Sequence, residues 1–183
     1  MTLKKTEILG PHKRYVIWVQ GCNKHCVGCI SAESQSLNGG YEIDISDLAD
    51  DILSVTDIEG ITISGGEPFL QSDSLIALIN MIKLKRDLGI IIYTGFIYDE
   101  IKENPLTALS DIIIDGDYQE KLNDGLSLRG SSNQNICLIT QRYSKDINIY
   151  GVPGRKVEFH LDSNNKITMA GIPNKRIMKI LDN

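Results

Sequence analysis

The sequence predicts an α/β fold, a partial (open) β/α barrel on a mostly parallel sheet, with a C-terminal β-hairpin extension. Three observations predict it. Short apolar, β-branched runs alternate with segments of three-and-four hydrophobic spacing between residues 14 and 114. That alternation builds a parallel sheet with right-handed crossovers. The chain has 183 residues, too few for a complete eight-fold barrel of about 250. Beyond residue 155 the pattern changes to two alternating stretches around a polar turn.

The elements follow in order. Residues 14–20 (Arg-Tyr-Val-Ile-Trp-Val-Gln) are β-branched and aromatic and read as the first strand. A cysteine-rich loop begins at Gly21. Ser46 is the expected N-cap of a helix whose apolar residues are Leu48, Ala49, Ile52 and Leu53. Residues 60–64 form a short strand that runs into Gly65-Gly66-Glu67-Pro68, where regular structure stops. Leu75, Ile76, Leu78, Ile79 and Ile82 mark a helix expected to end near Leu88-Gly89. Residues 90–93 are wholly apolar, as in a strand covered on both faces. A short helix is expected over 98–104 and a further buried strand over 111–114, closing on Asp115-Gly116. Cys137, in the apolar run 135–139, reads as a buried strand residue. Residues 157–161 and 166–170 flank Asp162-Ser163-Asn164-Asn165 as an antiparallel hairpin. Pro173 is expected to open a C-terminal helix through Ile177, Ile180 and Leu181.

The length suits one domain over 1–183, with a core of about 14–136 and an extension of about 140–183. Hydrophobic residues make up 42% and charged residues 23%, ordinary proportions for a globular protein with a real core. The net charge is −5 and the Lys and Arg residues are scattered, so no nucleic-acid footprint is present. No signal peptide follows Met1, and no apolar run approaches the ~18 residues of a membrane span. The expectation is a cytoplasmic protein with no membrane partner, whose four cysteines are metal ligands or plain thiols rather than disulfides.

The chemistry concentrates in loops that follow strands, which a parallel sheet gathers on one rim. Cys22, Cys26 and Cys29 fall within eight residues, spaced by three and then two. Three thiolates from one loop can hold three irons of a [4Fe-4S] cube and leave the fourth open. The competing reading is a zinc-stabilised binding module with Cys137 or His25 as fourth ligand, but structural zinc sites usually carry two paired-cysteine knuckles. On the same rim, Ser64-Gly65-Gly66-Glu67 offers close backbone approach and a negative group able to meet an ammonium.

The cysteine pattern followed by Gly-Gly-Glu-Pro resembles the radical S-adenosylmethionine (SAM) superfamily over about residues 14–136. Within it, three stretches are similar to the activating proteins of anaerobic ribonucleoside-triphosphate reductase: 19–29, 113–118 and 128–134, with Tyr93-Thr94-Gly95 as a further match. The resemblance implies that Cys22, Cys26 and Cys29 ligate the cluster and that SAM chelates the open iron. It also implies that Ser64, Gly65, Gly66 and Glu67 hold the methionine amino group. Thr94 would line the SAM pocket beside Tyr93. Arg129 either forks onto the SAM carboxylate or makes a surface ion pair, and Asp115 either binds the ribose or caps the following turn.

The implied reaction is reductive cleavage of SAM to a 5′-deoxyadenosyl radical, which makes a glycyl radical on a large reductase subunit. A low-potential donor such as flavodoxin or ferredoxin would supply the electron. Another glycyl-radical enzyme or a peptide is the alternative substrate. Two features depart from the family: Ile30 stands where an aromatic residue often follows the third cysteine, and the hairpin and tail from residue 155 lie outside the resemblance.

Overall fold

The computed structural model describes residues 1–146, 148, 150–161, 165, 167–173 and 177. Six strands form one sheet in chain order: β1 (Thr2–Thr6), β2 (Arg14–Val19), β3 (Gly60–Gly65), β4 (Gly89–Tyr93), β5 (Ile112–Asp115) and β6 (Asn135–Leu138). The four central strands are parallel; β1 and β6 add antiparallel edges. The sheet is open, and β7 (Glu158–Leu161) and β8 (Ile167–Ala170) form a separate antiparallel hairpin. The α/β reading with a mostly parallel open sheet and a C-terminal hairpin therefore holds.

Crossovers α1 (Ile45–Ser54) and α2 (Ser72–Lys83), then the single turns α3 (Tyr98–Ile101) and α4 (Pro105–Ala108), connect the parallel strands. One face of the sheet packs on these helices through Tyr15, Ile17, Ile61, Ile63, Ile90 and Ile92. Strand alternation puts the intervening residues on the opposite face. There Val16, Thr62, Ile91 and Ile112 align across four strands, and Trp18 aligns with Ser64 one layer nearer the C-terminal ends.

The floor of that second face is a buried arginine. The Arg14 guanidinium is fully enclosed and donates to Thr62 Oγ1 at 2.7 Å, Ile61 O at 2.7 Å, Gly89 O at 2.8 Å and Tyr143 Oη at 2.7 Å. Glu59 Oε2, 3.3 Å away, supplies the countercharge. Only glycine fits at position 60, where a Cβ would lie 2.5 Å from Arg14 Nη2. One charged side chain thus ties the N-terminal ends of three strands, with its donors satisfied as burial requires.

Several expectations need correction. Strand β1 was not foreseen: Thr-Leu-Lys-Lys-Thr is mostly polar, and its pairing with β2 supplies the order that the local pattern does not. The N-cap of α1 is Asp44, not Ser46; the Asp44 carboxylate accepts the Ser46 amide at 2.7 Å. Helix α2 stops at Lys83, short of Leu88, and Arg86 then turns its guanidinium onto the carbonyls of Val55 (2.7 Å), Thr56 (2.8 Å) and Ile58. The helix expected over 98–104 ends at Ile101, and Asn104 caps the separate turn α4. Cys137 lies on a strand as expected, but on edge strand β6 it is only half-buried. The polar turn at 162–164 and the C-terminal helix expected through Ile180 and Leu181 fall outside the described residues.

Candidate functional site

At the C-terminal rim of the sheet, the loop after β2 carries the three cysteines and the loop after β3 carries Gly65-Gly66-Glu67. Backbone hydrogen bonds latch the two together. Gly66 N donates to Val19 O and Glu67 N to Gly21 O, both at 2.8 Å, while Cys22 N donates to Gln35 O at 3.0 Å. A Cβ at Gly66 would sit 2.2 Å from Gly21 O, so no other residue fits without moving the cysteine loop. The close approach that these glycines permit is therefore made, in this structure, to the end of β2.

Cys22, Cys26, Cys29, Ser64, Gly65 and Gly66 wall one cavity of about 610 Å³, within the usual range of small-molecule sites. Glu67, Tyr93 and Thr94 face the same cavity. Every residue of the cysteine and Gly-Gly-Glu motifs singled out in the sequence is brought together here.

The sulfurs receive amide hydrogens: Lys24 N approaches Cys22 Sγ at 3.4 Å, and the backbone amide of Tyr118 serves Cys26. Burial pushes the Cys26 thiol up, and Asp117, Cys29 and Cys22 push the same way, with only the Tyr118 amide opposing. Three cysteines on the wall of one cavity fit a group that brings its own positive iron. Among the described residues, no three His, Cys, Asp or Glu side chains are arranged around a single metal ion. His25 is exposed, and Cys137, paired with Ile113 in β6, does not line the cavity, so neither offers zinc a fourth ligand there. As a donor set, three cysteines on one cavity wall suit a cluster that takes one thiolate per iron.

Glu67 is the buried centre of the rim, 1% exposed. Its Oε1 accepts from Phe69 N at 3.0 Å and Thr94 Oγ1 at 2.8 Å, and its Oε2 accepts from Gly95 N at 2.8 Å. Burial pushes its carboxyl up against the pull of these donors and of Lys24. The carboxylate thus caps the 3-10 turn at 68–71 and joins the ends of β3 and β4; among the described residues the hydrogen bond to Oε2 comes from Gly95 N. Lys24 itself crosses the rim and rests its Nζ 3.6 Å from the centroid of the Phe96 ring.

Arg129 is placed elsewhere. Its Nη2 donates to Asp124 Oδ2 at 2.6 Å, and its neighbour Gly130, rather than Arg129, lines the cavity. Asp115 is buried and accepts from Tyr98 N at 2.7 Å and Asn135 N at 3.0 Å, tying β5 to the start of α3 and to β6. It serves as a cap, although of α3 rather than of the turn that follows it.

Sequence reasoning missed several wall residues: Met1, Trp18, Lys24 and Gln134, together with Thr168 and Met169 of β8. Trp18 had a usable signal, since strand alternation puts it beside Ser64. Gln134 acts as a clamp, accepting Gly130 N at 2.8 Å and donating to Gly116 O at 2.7 Å.

Comparison with known proteins finds relatives over the stretch that carries these residues. The family described as a 4Fe-4S single cluster domain matches residues 8–137. An anaerobic ribonucleoside-triphosphate reductase-activating protein of Vibrio cholerae is 32% identical over 143 residues, covering 72% of this chain and 91% of that protein. The protein of the same name from Enterobacteria phage T4 is 29% identical over 132 residues, covering 69% of this chain and 85% of its own. A pyruvate formate-lyase-activating enzyme of Listeria monocytogenes is 32% identical over 79 residues, 40% of this chain and 32% of that enzyme. The chain belongs to the 4Fe-4S single cluster domain family of the radical SAM superfamily, and within it is an enzyme of the activating type, grouped with the anaerobic ribonucleoside-triphosphate reductase-activating proteins.

Proposed function

We propose that this chain cleaves SAM reductively and generates a glycyl radical on anaerobic ribonucleoside-triphosphate reductase. The observation that carries the reading is that the cysteine trio and the Ser64–Glu67 loop wall one cavity. Cys22, Cys26 and Cys29 would hold a [4Fe-4S] cluster at the wall of the cavity that would receive SAM. Such a cluster, when bound and reduced, would supply one electron for breaking a carbon–sulfur bond of SAM to methionine and a 5′-deoxyadenosyl radical, which would take a hydrogen atom from a glycine.

The chain's own residues position and enclose. Ser64, Gly65 and Gly66 offer backbone groups to the methionine end, and the Glu67 carboxylate on the cavity wall offers a negative charge to its ammonium. Thr94 holds the Glu67 carboxylate in place. Arg129 stays with Asp124 and stabilises the segment leading to Gly130. Fixing the sulfonium beside the cluster turns an encounter into a positioned event. The whole of 1–183 acts as one domain, with the core at about 14–136. A low-potential donor such as flavodoxin or ferredoxin reduces the cluster in the cytoplasm, and the large reductase subunit is the partner. Among the described residues no helix is long and apolar enough to cross a membrane.

The test is anaerobic. Reconstituted, reduced protein given SAM is expected to release 5′-deoxyadenosine, and adding the reductase is expected to produce a glycyl doublet by electron paramagnetic resonance. An intact cluster that yields no 5′-deoxyadenosine rejects the cleavage. Cleavage with a doublet on pyruvate formate-lyase but none on the reductase moves the assignment to another glycyl-radical enzyme.

A further inference from the structure

The hairpin β7–β8 lies outside the residues that the cluster-domain family matches, which end at 137. Its two faces differ sharply. Glu158, His160, Thr168 and Ala170 share the inner face by register and alternation. That face is anchored: Ala170 is fully buried against Leu9 and Val16, and Glu158 accepts Thr6 Oγ1 at 2.6 Å and Glu7 N at 3.4 Å. The outer face carries Phe159 opposite Met169 and Leu161 opposite Ile167. Phe159 is 53%, Leu161 67% and Ile167 65% exposed. Three large apolar side chains clustered on one exposed strand pair mark an interaction site, because water contact with them costs free energy that a partner would recover.

This face is continuous with the candidate site. Ile167 and Met169 belong both to it and to the wall of the cavity that holds the cysteines. Anything seated on the hairpin therefore reaches the mouth of that cavity. A substrate that must deliver one backbone glycine while the rest of it stays outside needs such a continuous surface. A small-molecule substrate does not.

We propose that the outer face of β7–β8, centred on Phe159 and Leu161, is the docking surface for the protein that receives the radical, and that it seats the apolar segment leading to the reactive glycine. The inference rests on the radical-transfer reading above. The occupant is the reductase, and a second copy of this chain is the competing outcome.

The test uses the full chain with its cluster reconstituted and a Phe159→Asp/Leu161→Glu double variant. Neither residue lines the cavity, and both are exposed, so the fold and the 5′-deoxyadenosine released without reductase stay at wild-type levels. Anaerobic titration of intact reductase is expected to show affinity reduced roughly tenfold or more, as for loss of an apolar anchor, with glycyl radical yield falling alongside. Unchanged affinity and yield would overturn the proposal. So would a wild-type chain that does not bind the reductase, or a double variant that loses only self-association in sedimentation. Binding is read without SAM turnover, so failure of cleavage in the wild type strikes the functional reading and leaves this one separately decided.

Discussion

Thr94 Oγ1 donates a 2.8 Å hydrogen bond to Glu67 Oε1, joining the end of β4 to the loop after β3 across the rim of the site. Glu67 is nearly sealed from water, so each donor that it keeps counts. Thr94→Val removes this one, together with the Phe96 N–Thr94 Oγ1 bond at 3.1 Å, and preserves shape. The expected loss is about 1–3 kcal/mol in denaturant unfolding, the range for a buried hydrogen bond to a charged group. Iron content should stay at wild-type level while SAM affinity falls, because the change touches the Gly-Gly-Glu loop and not the thiolates.

Arg14 holds the opposite end of the sheet. Arg14→Met strips the buried donor from Thr62 Oγ1, Ile61 O and Gly89 O, while Glu59 keeps Arg142 and Tyr143, and is expected to destabilise the fold by about 3 kcal/mol or more, the scale of two buried hydrogen bonds to a charged group. Tyr143→Phe removes only the Arg14–Tyr143–Glu59 relay and should lose about 1–2 kcal/mol. Urea midpoints of the two variants, compared with wild type, check the ranking.

Gly66→Ala tests the latch between the two loops. The added methyl would meet Gly21 O at 2.2 Å, so the Gly66–Val19 and Glu67–Gly21 bonds must part. Overpacking of this kind usually destabilises by about 1–3 kcal/mol. Because the strain falls on the start of the cysteine loop, iron bound after reconstitution should drop below one cluster per chain, read by iron and sulfide analysis.

Acid stability should depend on Asp51. Its carboxylate accepts from Lys4 Nζ at 2.7 Å and Tyr15 Oη at 2.6 Å, which hold it below the usual value of 3.8. A carboxyl lowered in the fold binds protons less tightly there than in the unfolded chain. Its contribution is therefore present above about pH 4 and is lost as pH falls through the lowered value. Asp51→Asn is expected to be less stable than wild type at pH 7 by roughly 0.5 kcal/mol, since the carboxylate is partly exposed and screened, and the two should converge as the pH drops below 3.8. Equal differences at pH 7 and pH 3 would contradict this assignment.

The parallel core was legible because its strands are uninterrupted apolar runs: Ile90, Ile91 and Ile92 sit in a strand buried on both faces, and nothing else accommodates them. The cysteine trio was legible for another reason, since its spacing is chemistry rather than propensity. What stayed hidden depends on tertiary contact. Arg14 reads as a polar strand end, yet it is the enclosed hub of three strands. Strand β1 is polar except for Leu3 and is ordered by β2, by Leu3 against Leu9 and Val16, and by ion pairs from Lys4 and Lys5 to Asp51 and Asp57. Arg129 could be read equally as a ligand contact or as an ion pair, and only the fold, by putting Asp124 beside it, decides for the pair. The hairpin was visible as a hairpin, but its contribution to the cavity wall depends on how Ala170 and Glu158 dock it onto the N-terminal strands.

The most direct measurement is a set of single alanine substitutions at Cys22, Cys26, Cys29 and Cys137, each reconstituted anaerobically and assayed for iron, sulfide and 5′-deoxyadenosine. The first three line the cavity and the fourth does not. Loss of iron and of cleavage at the first three positions, with Cys137→Ala indistinguishable from wild type, is the predicted result. Full iron content and undiminished cleavage in any one of the Cys22, Cys26 or Cys29 variants would contradict it.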